Sequence, residues 1–232
     1  MLIIESNLHK FAPEESRDIL KLLLNFTIQK NNAGFSVYYE QQLRIYHIFI
    51  ELNLILNQFG KISAATYKNY INASLKTKKI KEAELFLETY KDFLIDDLKE
   101  ETYNFNKACL YFEKRMYDEV IKTLLSTKQN DIYYNIAQRR LLLKTYYEMM
   151  LKNKSYYNVL ISGMDSFKKF ISIKNTIPES HVIINKAFLK NLNSLLAINT
   201  KKQAQQVYEA FKKSTVVLEK QWLEKKIKEQ LT

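Results

Sequence analysis

Only three glycines (Gly34, Gly60, Gly163) and two prolines (Pro13, Pro178) punctuate 232 residues, 47% of them apolar. Strands joined by tight turns need residues that accept special backbone angles at every turn, whereas helices joined by short polar loops need few of them. The chain is therefore expected to be all-α. Its length exceeds the usual single-domain size without demanding two domains and suffices to bury a sizeable core, so one body over residues 1–232 is the expected organisation.

Helix starts and stops can be read along the chain. Ala12-Pro13-Glu14-Glu15 places proline and two carboxylates in a first turn, where the macrodipole favours them, and Asn31-Asn32-Ala33-Gly34 offers residues that tolerate the left-handed backbone of a helix end. A second helix is predicted over about 35–59, stopping at Gly60, with apolar residues around most of its circumference, as in a helix packed on two sides. Ser63 predicts the N-cap of a third helix carrying Tyr67, Tyr70, Ile71 and Leu75. A fourth begins near Lys79 and repeats Ile80, Ala83, Leu87, Tyr90 and Leu94. Asp96 and Asp97 mark the next start, before Tyr103, Ala108, Tyr111 and Phe112; a turn at Lys114-Arg115-Met116 leads to Tyr117, Val120, Ile121, Leu124 and Leu125. Looser helices follow at about 132–151 and 155–173. Pro178-Glu179 opens one through Leu196, and Thr200 caps another. Leu218, Trp222, Leu223, Ile227 and Leu231 give a closing amphipathic helix with lysines 220, 225, 226 and 228 on its exposed side.

Residues 63–94 and 97–126 form the clearest units, and a shift of 37 residues overlays the first on the second. Ile71 falls on Ala108, Ile80 on Tyr117, Glu82 on Glu119, Ala83 on Val120 and Leu87 on Leu124. Within 102–126 the series Ala108, Tyr111, Tyr117, Val120 and Leu124 resembles the tetratricopeptide repeat, in which small residues let two helices approach and aromatics fill the gap between successive pairs. Val120 stands where that motif has alanine, Arg115 where it commonly has glycine, and Gln129 to Asp131 replace its proline ending. The resemblance implies a right-handed α-α superhelix, a TPR-like solenoid of about five antiparallel helix pairs with a C-terminal capping helix. The layout, with Tyr67-Lys68-Asn69, the run from Leu141 to Glu148 and Trp222-Leu223, is also similar to the C-terminal part of a group of uncharacterised bacterial helical-repeat proteins, a group that implies no activity. On that likeness the chain could be a segment of a longer array.

Charge is distributed unevenly. Residues 1–100 carry 13 lysines and arginines against 13 carboxylates, whereas the last 82 carry 15 against 6. Such an end can meet nucleic acid, a polyanion or an anionic membrane surface, but lysines spread over helix faces are also ordinary surface filler in a chain rich in Lys, Asn, Ile and Tyr. Cys109 has no second cysteine to pair with, and its neighbours Ala108 and Leu110 suggest a small buried hydrophobe. Leu2-Ile3-Ile4 is too short for a signal peptide, and the apolar stretch 35–59 is broken by Glu40, Arg44, His47 and Glu51, so a cytoplasmic protein without a membrane span is expected.

No constellation reads as catalytic. His9, His47 and His181 lack metal-ligand spacing, the isolated glycines make no phosphate-cradling loop, and Ser162-Gly163 lacks the earlier glycine of a nucleophile elbow. Glu14-Glu15 and Asp96-Asp97 sit at helix starts, where dipole stabilisation accounts for them. The tyrosine doublets 38–39, 133–134, 146–147 and 156–157 could each put one ring in the core and one at a groove wall, because adjacent helical residues point about 100° apart; ordinary repeat packing explains them as well. Arg139, Arg140, Lys144 and Tyr147 are the candidate partner-binding residues, the last three sharing one helix face. The expected function is non-enzymatic, with no cofactor and no metal: an interaction or scaffolding module that binds a partner protein or peptide on its helical-repeat surface. Nucleic-acid or polyanion binding through the basic C-terminal portion is the alternative, and an end cap of a larger scaffold, with no ligand of its own, is the third.

Overall fold

The computed structural model describes residues 7–128, 130–173, 177–214 and 217–231, without the side chains of His9 and Asp96. Leu2-Ile3-Ile4 and Gln129 lie outside the described residues. Among the described residues eleven α-helices follow one another: α1 (Pro13–Asn32), α2 (Tyr38–Glu51), α3 (Ala64–Lys76), α4 (Ile80–Tyr90), α5 (Lys99–Glu113), α6 (Tyr117–Ser126), α7 (Ile132–Lys152), α8 (Tyr156–Ile173), α9 (Glu179–Leu196), α10 (Lys201–Lys212) and α11 (Lys220–Glu229). The all-α expectation holds among the described residues. One isolated parallel bridge joins Ile62 to Leu94. The chain divides into two compact units, Met1–Thr145 and Tyr146–Thr232.

In the first unit α1 packs on α2, α2 on α3 and α3 on α4, and α5 lies against both α3 and α4 as well as α6. Helix α1 starts as its sequence dictates: the Glu15 carboxylate accepts from the Ala12 N–H at 3.0 Å, and Gly34 ends the helix with φ 94°. Helix α2 stops earlier than its apolar pattern suggests. Asn53 takes φ 54°, and the Leu54 N–H donates back to Phe49 O at 2.7 Å, closing the helix at Glu51 instead of Gly60. Asparagine tolerates that left-handed position almost as glycine does. Leu54, Ile55 and Leu56 then continue the apolar series as a loop packed on the core. Leu94 likewise belongs to no helix; it is buried through the bridge to Ile62, whose N–H donates to Phe93 O at 2.8 Å.

The 37-residue shift recurs in the backbone. Lys79 N–H donates to Ser74 O at 2.8 Å and Met116 N–H to Tyr111 O at 2.9 Å, while Lys78 and Arg115 donate to Leu75 and Phe112. These are the two bonds of a helix C-terminal motif built around one left-handed residue, and Lys78 and Arg115 supply it with φ 63° and 60°. Ile71 and Ala108, Ala83 and Val120, and Leu87 and Leu124 are all buried at matching places. Small residues at 83 and 108 let the paired helices approach, as their sequence positions suggest.

Arginine at φ 60° carries a cost that glycine avoids. Left-handed backbone costs an L-residue about 1–2 kcal/mol, and glycine returns part of that gain through its freer unfolded chain. Arg115→Gly is therefore expected to stabilise the protein by about 0.5–1 kcal/mol, read as a raised urea midpoint by far-UV circular dichroism. A lowered midpoint would contradict this account of the turn. Lys78→Gly should gain less, because Lys78 also pairs with Glu113 at 3.0 Å.

In the second unit α8 packs on α9, α9 on α10 and α11, and α10 on α11. Phe167, Phe188, Leu192 and Leu223 are completely buried at its centre. Thr200 caps α10, its hydroxyl accepting from Gln203 N–H while the Gln203 side chain accepts from the Thr200 N–H, a reciprocal cap that satisfies two otherwise orphaned donors. Helix α11 corrects one expectation. Lys226, expected on the exposed side with Lys220, Lys225 and Lys228, is buried and donates to Glu148 at 2.8 Å and to Glu229 at 2.9 Å. A carboxylate far away in sequence holds it inward.

Candidate partner-binding surface

The four residues proposed from sequence all lie on α7. Arg139 is half-buried, and its Nε donates to Asn135 Oδ1 at 2.9 Å. Burial holds its guanidinium below the usual arginine range. Arg140 is half-buried as well. Lys144 and Tyr147 are not surface residues: they are 7% and 2% exposed. The Lys144 ammonium lies 4.5 Å from the centroid of the Phe112 ring, a contact in which the ring face takes the place of some hydration. The Tyr147 ring meets Trp222 edge-on at 5.4 Å. Burial first, then the charges of Glu148 and Glu229, push its phenol above the ordinary range. Shared spacing does place Arg140, Lys144 and Tyr147 on one face of α7, but that face is turned inward at 144 and 147.

A cleft of about 580 Å³ opens elsewhere, in the first unit. Its apolar lining is Leu8 and Phe11 from the N-terminal turn, Pro13 from the start of α1, Ile48 of α2, and Leu52 and Leu54 from the loop after α2. Its polar lining includes Arg44, His47 and Glu51 at helical spacing on α2. The early end of α2 makes this cleft possible, because the chain turns at Asn53 and brings Leu54 to the wall. Two hydrogen bonds tie the segments flanking the cleft to α1. Ser16 Oγ donates to Leu8 O at 3.2 Å, and Arg17 donates to Leu56 O at 3.2 Å.

His47 is held from behind. Its Nε2 bonds to Glu82 Oε1 of α4, and the same oxygen accepts from the Tyr70 hydroxyl of α3 at 2.8 Å. Burial, followed by the bond to Glu82 and its charge, pushes the Tyr70 phenol upward, so it stays neutral and donating. Three helices thus set one imidazole at the cleft. A carboxylate-oriented histidine is also the arrangement of a general base, and Ser16 is the hydroxyl that lines the same cleft, but its proton is given to the Leu8 carbonyl. Among the described residues no group of three or more His, Cys, Asp or Glu could hold a metal ion.

The non-local partners of His47 hid this site from sequence reading. Its one visible signal in the sequence is the i, i+3, i+7 spacing of Arg44, His47 and Glu51, three of the charged or polar residues that break the apolar stretch 35–59. Among the described residues no helix is long and apolar enough to cross a membrane.

The basic end of the chain alternates in sign where its lysines are paired. Lys212 pairs with Glu209 at 2.8 Å, Lys228 with Glu224 at 2.7 Å and Lys225 with Glu229 at 3.9 Å, each within one helical turn. Lys201, Lys202 and Lys213 are exposed. No protein-family model, curated protein or solved structure matches this chain.

Proposed function

We propose that the chain is a non-enzymatic interaction module that binds a partner protein or peptide on the surface of its TPR-like helix pairs, with the cleft beside α2 anchoring an apolar side chain of the partner. The cleft itself carries this reading. Its volume of about 580 Å³ is on the scale of a ligand pocket, with room for a large apolar side chain and its flanking residues, and a mainly apolar lining with a few polar groups is the usual make-up of a binding site. Phe11 and Leu52 stand at its rim, each 45% exposed, where a partner would cover them. Arg44 and Glu51, two turns apart on α2, give the rim opposite charges at its two ends and so a preferred direction for a bound segment. Polyanion binding has less support, because carboxylates interleave with lysines on α10 and α11.

Peptides selected by display on the full chain test the proposal. Each selected peptide should present a large apolar residue, and Phe11→Asp or Leu52→Asp should weaken its binding about tenfold or more, as truncating a central anchor does. Leu125→Asp, at an exposed position of α6, should leave affinity unchanged. Selected peptides that bind both cleft variants as tightly as the parent chain would overturn the assignment.

A further inference from the structure

Helix α1 buries Ser16, Leu20, Leu24, Thr27 and Asn31, yet its opposite face is not uniformly polar. Leu22 is 70% exposed and Phe26 47%. Phe35 and Val37, just beyond the helix, are 56% and 68% exposed. Leu22 and Phe26 are neighbours at i, i+4, Phe26 meets Tyr38 edge-on at 5.7 Å, and the Lys30 ammonium lies 5.4 Å from the Phe26 ring and 5.8 Å from that of Phe35. Contiguous apolar surface of this kind marks an interaction site.

The order of residues along the face selects its occupant. Positions 18, 22, 26 and 30 form one ridge at i, i+4 spacing, reading Asp, Leu, Phe, Lys. Turned end over end, this ridge complements itself. A two-fold axis passing between Leu22 and Phe26 sets each Leu22 on the partner's Phe26 and each Asp18 on the partner's Lys30. A parallel arrangement would instead oppose Asp18 to Asp18 and Lys30 to Lys30. Asp18 forms an exposed pair with Lys21 at 3.2 Å, a weak contact in high dielectric, so it can exchange that contact for a partner at little cost.

We propose that α1 is a self-association surface, on which a second copy of the chain packs its own α1 antiparallel, Leu22 against Phe26 and Asp18 against Lys30. The contact is isologous and closes at two chains. A single helix crossing is small for a permanent interface, so the dimer is of the weak, concentration-dependent class. This surface and the cleft lie on different sides of α1, and neither proposal depends on the other.

Sedimentation equilibrium of the full chain provides the test. The parent protein should show a monomer–dimer equilibrium, and Leu22→Lys should shift it to monomer. Asp18→Lys alone and Lys30→Asp alone should each weaken self-association about tenfold or more, since each opposes like charges twice across the axis. Mixing these two variants should restore dimers, because both charge pairs in the mixed species are then opposite, and the double variant Asp18→Lys/Lys30→Asp should dimerise again by itself. A parent chain that stays monomeric up to about 1 mM, or a mixture that associates no more than its components, would overturn the proposal. Peptide binding at the cleft should be unaffected by Asp18→Lys, which separates the two surfaces.

Discussion

Glu148→Ala is expected to destabilise the second unit by about 3–5 kcal/mol, the range for breaking a buried ion pair from one side. Glu148 and Lys226 have side chains only 12% and 8% exposed. One Glu148 oxygen accepts from the Trp222 indole N–H at 2.8 Å and the other from the Lys226 ammonium at 2.8 Å. Alanine would leave the indole donor without that acceptor and the buried ammonium with Glu229, whose side chain is 42% exposed. Both losses are costly, because each takes a charged acceptor from a desolvated donor. Glu148→Gln, which can still accept from Trp222, should cost less. Pairing it with Lys226→Met should recover most of the loss, since removing both charges is far cheaper than orphaning one. Trp222 is the chain's only tryptophan, so its fluorescence during urea unfolding reports this unit directly. A double variant no more stable than Glu148→Ala would show that the charges are not what hold the cluster.

Phe86→Ala should cost a comparable amount, about 3–5 kcal/mol, in the first unit. The ring is 3% exposed. It stacks on Tyr70 with centroids 3.7 Å apart and planes at 14°, and on Tyr90 at 4.5 Å and 30°. Its removal opens a cavity between α3 and α4 and also deprives Tyr70 of the neighbour that aligns its hydroxyl with Glu82. Phe86→Leu should restore much of the stability by refilling volume. Phe59→Ala, at a position 78% exposed, should change stability by less than about 0.5 kcal/mol. Far-UV circular dichroism during urea unfolding measures all three. If Phe86→Ala were as mild as Phe59→Ala, the aromatic stack would not be a packing element of this unit.

Local signals carried most of the secondary structure into view. Ser63 and Thr200 cap the helices their hydroxyls suggest, Gly34 ends α1, and Pro178 precedes α9. What escaped were features decided by distant partners or by a residue that substitutes for glycine. Asn53 ended α2 while the apolar pattern ran on through Leu54 and Leu56, and Leu94 kept a helical spacing although its burial comes from the bridge to Ile62. Lys226 reads as one of four surface lysines because periodicity records its charge but not the carboxylate 78 positions away. Tyr147 and Lys144 are misleading in the same way, since a phenol ring or an aliphatic stem suits a groove wall or a core equally. The His47–Glu82 pair spans 35 positions and three helices meet at it, so the cleft emerges only with the tertiary structure.

Backbone amide shifts of the labelled full chain, followed as a display-selected peptide is added, test the central claim most directly. The account predicts that the largest changes cluster at Arg44, His47, Ile48 and Leu52. Changes confined to α10 and α11, around Lys201, Lys202 and Lys213, would contradict it.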